Sequence, residues 1–244
     1  MKICIFGAGA IGGFVGAKLA ASGAEVSMVA RGAHLSEMKK NGLTLIEDGL
    51  DPKKIRVKVA QDPSELGAQD YVFVTLKAHS VPSVAESMIP LFHHDTTIVS
   101  GVNGIPWWYF HKVGGEFEGT RLSSVDPDNK QWDLFGPNRV LGCVVYPAAE
   151  VIKPGVIRHI EGNKFSLGEP NGEKSQRALL LSEAMRSAGL KAPIRRKIRD
   201  EIWIKLWGNC SFNPVSALTG ATLDEIGADP ETRHLIEAIM IEVQ

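Results

Sequence analysis

Lys205, Asn209 and Asn213 recur at every fourth position in the segment Glu201-Ile202-Trp203-Ile204-Lys205-Leu206-Trp207-Gly208-Asn209-Cys210-Ser211-Phe212-Asn213. On a helix, side chains spaced i, i+4 and i+8 stand one above another on a single face. A cation followed by two carboxamides can hold a polar carbonyl compound and deliver a proton to its oxygen. Trp203, Leu206, Trp207 and Phe212 make the surroundings of Lys205 apolar. A lysine desolvated in this way loses basicity and can serve as a general acid near neutral pH. The plainer alternative is a lysine snorkelling from an amphipathic helix, and the two amides in register favour the chemical reading.

A second chemical signature opens the chain. Gly7-Ala8-Gly9-Ala10-Ile11-Gly12 matches G-x-G-x-x-G, directly after an apolar strand pattern and at the start of a helical one,. In that context Gly7 makes the tight turn, Gly9 admits a pyrophosphate and Gly12 lets helix and strand pack closely. The helix N-terminus that follows offers unpaired N–H groups to phosphates. An acidic residue about 20 positions further on would select NAD. Val29-Ala30-Arg31-Gly32 stands there instead. The guanidinium of Arg31 suits a 2′-phosphate, so the cofactor expected is NADP, bound as NADPH; the plainer alternative is a solvated surface arginine. Together with the Lys205 face, this points to the reduction of a carbonyl.

Lys77 ends a third strand pattern in Val74-Thr75-Leu76-Lys77-Ala78, where ligands of open α/β sheets collect,. It can reach a phosphate or carboxylate, or simply be a solvated strand-end lysine. Asn103 occupies the equivalent place after the next strand, in Ser100-Gly101-Val102-Asn103-Gly104, where Asn-Gly is also ordinary turn chemistry,. His93-His94-Asp95 reads as a solvated turn rather than a metal site, and the other histidines lack ligand spacing,. No G-x-S-x-G nucleophile motif is present,. Pro106-Trp107-Trp108-Tyr109-Phe110 is either core or a wall of the substrate pocket,.

The elements that must position these groups alternate. Lys2–Phe6, Glu25–Val29, Tyr71–Thr75, Thr97–Ser100 and Val140–Tyr146 read as strands, and Ala10–Ser22, His34–Lys40 and Val81–Phe92 as helices,. This predicts an α/β fold, a Rossmann-like doubly wound sheet. Leu43–Glu47 and Ile55–Val59 flank Asp48-Gly49 and read as an inserted hairpin; Val156–Ile160 and Lys164–Leu167, around Gly162-Asn163, read as another,. Ser175–Ala188 is an amphipathic helix, and Lys191–Ile194 a short edge strand limited by Pro193,. Beyond that no strand pattern remains. The expected division is a dinucleotide-binding domain over residues 1–194 and an all-helical substrate domain over 195–244. Pro214 should kink the helix carrying Asn213 or start a new one there. About 50 residues rarely make an independent core, and the His234–Val243 stretch is too apolar for a finished surface. The helical domain therefore reads as incomplete, continuing in a longer chain or packing on another subunit, as in a homodimer.

Composition narrows the setting. The 244 residues carry a net charge of −1, with 44% hydrophobic and 23% charged residues. No basic field argues for nucleic acid or an anionic membrane. Cys4, Cys143 and Cys210 show no CxxC spacing, so neither a disulfide framework nor a zinc site is expected, and a cytoplasmic location is the simplest. The N-terminal apolar stretch could pass for a signal peptide, but Gly7, Gly9, Gly12 and Gly13 break it and fit a strand–turn–helix,.

With these pieces in place the chain resembles the ketopantoate reductase (2-dehydropantoate 2-reductase) family. The resemblance rests on Gly7–Gly12, Arg31, Thr75-Leu76-Lys77-Ala78, Asn103-Gly104 and Lys205-Leu206…Asn209…Asn213-Pro214, in the family's order. It implies NADPH-dependent reduction of a small 2-keto acid, as in pantothenate biosynthesis. Lys205 would protonate the carbonyl oxygen, Asn209 and Asn213 would hold the substrate, Asn103 would lie between lysine and cofactor, and Lys77 and Arg31 would bind cofactor phosphates. It also implies further helices after Gln244, carrying a serine and a glutamate that touch substrate. The segment from Trp107 to Asn138 is long for the family and would border the substrate. Two rivals remain: a β-hydroxyacid dehydrogenase, which shares a K-x-x-x-N helix but acts on 3-hydroxy acids, and a redox sensor that binds NADP without chemistry.

Overall fold

A computed structural model describes all residues, 1–244. The chain divides into two compact units, Met1–Ile198 and Arg199–Gln244. In the first unit the elements run β1 (Lys2–Phe6), α1 (Ala10–Ala21), β2 (Glu25–Val29), α2 (Gly32–Asn41), β3 (Leu43–Ile46), β4 (Lys53–Ile55), β5 (Lys58–Ala60), β6 (Tyr71–Val74), α3 (Val81–Val84), β7 (Thr97–Ser100), α4 (Lys130–Phe135), β8 (Val140–Val145), β9 (Ala148–Lys153), β10 (Val156–Glu161), β11 (Phe165–Gly168) and α5 (Gln176–Ser187).

Seven strands form one sheet in the order β11-β8-β7-β6-β1-β2-β5. All its pairings are parallel except β11 with β8. β6, β7 and β8 are buried along their whole length, the pattern of strands covered on both faces,. The strand order reverses at β1, which pairs with β2 on one side and β6 on the other. The doubly wound, Rossmann-like class is thus the observed one, with its switch point between β1 and β6. Ligands of such sheets bind beyond the strand ends at the switch point.

α1 packs on β1 and β2 and also on a second, four-stranded sheet, β4-β3-β10-β9. Phe14, 1% exposed, marks this junction, and its ring stacks on His159 at 4.4 Å between centroids. One buried cluster joins both sheets, from Ile3 and Ile5 through Leu43 and Leu45 to Ile157. α5 is started by Ser175, whose hydroxyl accepts from the Ala178 amide. It is tied down by Arg177, which donates to Glu169 at 2.6 Å and to the carbonyls of Asn138 and Val140. Burial pushes the Cys4 thiol on β1 up to about 12, a core side chain rather than a nucleophile,.

Several sequence expectations need correction. Val156–Ile160 and Lys164–Leu167 are not a hairpin. β10 pairs antiparallel with β9 and parallel with β3 in the small sheet, whereas β11 pairs with β8 in the large one. The hairpin around Asp48-Gly49 exists as β3–β4, but its second arm stops at Ile55, and Lys58–Ala60 crosses to the large sheet beside β2. The single helix expected over Val81–Phe92 is one α-helical turn followed by a 3-10 stretch, Ala85–Leu91, that contains Pro90; proline supplies no amide for a continuous α ladder. Lys191 and Ile194 form isolated parallel bridges to Lys164 and Leu167, an edge as expected. Trp107 and Trp108 are 5% and 1% exposed, so this part of the aromatic cluster is core. The loop after it is closed by Asp126, whose carboxylate accepts from the amides of Gln131 and Trp132 at 2.8 and 2.9 Å.

The second unit is helical: α6 (Ile198–Thr219, its first residue in the first unit), α7 (Leu223–Ala228) and α8 (Pro230–Val243). α6 runs as one helix with Pro214 inside it, so no new helix starts at Asn213. It ends before Gly220, which takes φ +71°. Thr222 and Glu225 cap α7 reciprocally, and Asp229 caps α8 ahead of Pro230,. Val215, Ile226 and Ile236 form a small core, and the Trp207 indole donates to the Met240 carbonyl at 2.7 Å. No helix is long and apolar enough to cross a membrane.

Candidate active site

At the end of β1 the chain turns at Gly7, whose φ of +109° is open to glycine and strained for other residues,. The Gly7 and Ala8 amides donate to the Val29 carbonyl at 3.3 and 3.0 Å, which binds the turn to the end of β2. The Thr75 hydroxyl donates to the Gly7 carbonyl at 2.7 Å and binds it to the end of β6. α1 then starts with Gly9 as its N-cap. A Cβ on Gly12 would lie 2.1 Å from the Gly7 carbonyl oxygen, so no side chain fits there. A Cβ on Gly9 would meet nothing within 4 Å, so the loop faces open space where the fingerprint places a pyrophosphate,. The first-turn amides around Ala10 and Ile11 have no partners within the helix, and an anion there meets the positive end of its dipole. These residues fit a dinucleotide.

The other candidates of this unit gather along the same strand ends. Arg31, two residues past Val29, is exposed and forms the N-cap of α2. Lys77 is exposed at the N-cap of a 3-10 turn three residues after β6. Asn103 is exposed in the loop after β7. The approach of that loop is close: a Cβ on Gly101 would lie 2.5 Å from the Phe73 ring. The glycine loop, Arg31, Lys77 and Asn103 therefore follow four parallel strands, β1, β2, β6 and β7, at their carboxyl ends.

Two residues of this region escaped the sequence reading. Thr75 holds the glycine turn; it belongs to the Thr75-Leu76-Lys77-Ala78 stretch, but nothing local in the sequence marked this bond. His34 lies in the first turn of α2, and its Nδ1 accepts from the Gly155 amide at 3.0 Å, across from the β9–β10 turn. Burial holds its pKa below the ordinary 6.5, against the Ala8 carbonyl, which favours the charged ring,.

In the helical unit, Lys205, Asn209 and Asn213 lie on the one helix α6, which puts them in register along about 12 Å of its length,. Lys205 and Asn209 are half-buried and Asn213 is exposed. His93, His94 and Asp95 sit in a turn, with the His93 ring accepting from the Asp95 amide and His94 paired to Asp95 on the surface.

A switch-point glycine loop with cations at the neighbouring strand ends, and a lysine–amide helix face on the same chain, fit one class: a nicotinamide-dependent oxidoreductase of the Rossmann type. The family comparisons narrow it. Residues 3–172 match the model of ketopantoate reductase PanE/ApbA, and residues 197–244 match that of its C-terminal domain. The chain belongs to the ketopantoate reductase family. It is 58% identical to a 2-dehydropantoate 2-reductase of Mesorhizobium japonicum, an alignment that covers 100% of this chain and 75% of that protein. A crystal structure of a ketopantoate reductase candidate from Ralstonia solanacearum superposes with a TM-score of 0.94 at 42% identity, covering 99% of this chain and 74% of that one. The 2-dehydropantoate 2-reductase of Geobacter metallireducens gives 0.84 at 28% identity, over 100% and 74% of the two chains. D-mandelate dehydrogenase with NADH shares the fold, at a TM-score of 0.80 and 21% identity, over 100% and 72%. The family uses a nicotinamide cofactor.

Proposed function

We propose that this chain carries the reductase chemistry of a small 2-keto acid, with 2-dehydropantoate as substrate, pantoate as product and NADPH as reductant. The observation that carries the reading is the cation and two carboxamides in register on one helix, α6. The bound cofactor supplies the hydride. Lys205 gives its proton to the carbonyl oxygen as negative charge develops there. Asn209 and Asn213 hold the substrate's hydroxyl and carboxylate through amide hydrogen bonds, and Asn103 serves the reacting end of the cofactor. Lys77 and Arg31 take cofactor phosphates, and Gly7 to Gly12, with Ala8, Ala10 and Ile11 between the glycines, form the pyrophosphate cradle.

The division of labour follows: residues 1–194 bind the dinucleotide and 195–244 contribute the substrate side. NADPH is preferred to NADH because Arg31 stands where an acidic residue would otherwise receive ribose hydroxyls,. The test is consumption of NADPH and of NADH against a panel of 2-keto acids, with 3-hydroxy acids offered in the oxidative direction. Reduction of 2-dehydropantoate with a preference for NADPH supports the reading. Oxidation of a 3-hydroxy acid as the best reaction would favour the hydroxyacid dehydrogenase rival, and tight NADPH binding without turnover a sensor.

A further inference from the structure

His34 stands between two backbones that are far apart in sequence. Its Nδ1 accepts from the Gly155 amide at 3.0 Å, so the neutral ring carries its proton on Nε2,. That Nε2 is buried and no hydrogen bond closes on it. A buried donor left open is costly, and each such group in a native protein calls for a reason. The polar group that faces the ring is the carbonyl of Ala8, the second residue of the glycine loop. The same carbonyl oxygen would lie 3.7 Å from a Cβ on Gly13, beside Ile157 of β10, so it points inward, away from the phosphate cradle.

The far anchor is rigid. Gly155 takes φ +74°, its carbonyl accepts from the Thr44 amide at 2.8 Å, and a Cβ there would lie 2.6 Å from the Glu37 side chain. Only glycine brings this turn so close to α2, and its N–H is thereby aimed at the imidazole. His34 is thus held on one side by the small sheet, with its remaining donor presented to the inner face of the glycine loop.

We propose that His34 is a positioning residue for dinucleotide binding: seated on Gly155, it closes its Nε2–H on the Ala8 carbonyl and fixes the peptide between Ala8 and Gly9 in the orientation the pyrophosphate requires. The inference rests on the dinucleotide reading of that loop. It gives the small sheet, through the turn between β9 and β10, a role in cofactor affinity.

The test measures NADPH dissociation constants, kcat at saturating NADPH and thermal midpoints for the full chain and for His34→Ala, His34→Asn and His34→Gln. Asparagine keeps an acceptor near the Nδ1 position, and glutamine keeps a donor near the Nε2 position. His34→Ala should raise the NADPH dissociation constant about three- to tenfold, the effect of one lost hydrogen bond, and leave kcat within about twofold. His34→Gln should recover most of the affinity, and His34→Asn the thermal midpoint but not the affinity. A dissociation constant unchanged in His34→Ala would overturn the proposal. So would equal affinities for the glutamine and asparagine variants, which also decide the matter if the alanine variant does not fold. Failure of the wild type to bind either nicotinamide dinucleotide would instead remove the loop's assignment itself.

Discussion

Arg31 follows two residues after Val29, whose carbonyl ties down the glycine turn, so the guanidinium starts from a point fixed beside the loop. A planar, permanent cation can grip a 2′-phosphate with paired, charge-assisted hydrogen bonds. Arg31→Glu removes that grip and repels the phosphate, while its carboxylate can accept from ribose hydroxyls. NADPH affinity should fall at least about tenfold, with NADH affinity unchanged or improved. Equal ratios of the two dissociation constants in wild type and variant, measured by nicotinamide fluorescence, would show Arg31 to be a bystander. The glycines, Arg31 and the α6 face were legible in the sequence because each is a local spacing that reports its own backbone. Thr75 and His34 were not, because what defines them is a partner 68 and 121 residues away.

At the scale of elements, local signals served the parallel strands well and the small sheet poorly. β1, β2, β6, β7 and β8 announce themselves as apolar runs because both their faces are covered. β9 is different: Ala148-Ala149-Glu150-Val151-Ile152-Lys153 is mostly exposed and lies at a sheet edge, so no alternation marks it. Its turn, Pro154-Gly155, was the true hairpin signal, and Gly162-Asn163 only carries the chain from one sheet to the other,. The join between α5 and the large sheet yields a prediction. Glu169, 5% exposed, accepts from Arg177 through both oxygens and from Ser175. Glu169→Ala strands a half-buried guanidinium that keeps only its carbonyl partners, at a cost of about 2–3 kcal/mol. The thermal midpoint should drop by roughly 5–10 °C, with a smaller drop for Glu169→Gln. A midpoint within about 2 °C of wild type in the alanine variant would mean that the pair adds little to stability.

The molecule as a whole is unequal in its two units. The first has a continuous core spanning both sheets; the second has three buried apolar residues, Val215, Ile226 and Ile236, at its centre. A segment of that size buries too little surface to offset its chain entropy. Residues 199–244 expressed alone should therefore show no cooperative thermal transition by circular dichroism as a monomer, and a sharp, concentration-independent one would contradict this.

Proton supply for carbonyl reduction is the role proposed for this small helical unit. It is tested most directly by kcat for NADPH-dependent reduction of 2-dehydropantoate in wild type and Lys205→Ala, with NADPH dissociation constants from the same samples. Positioned acid–base groups contribute about 10²–10⁴-fold, so kcat should fall by that factor while the dissociation constant stays within about twofold. A variant that retains more than about a third of wild-type kcat lies far outside that range and would contradict the claim.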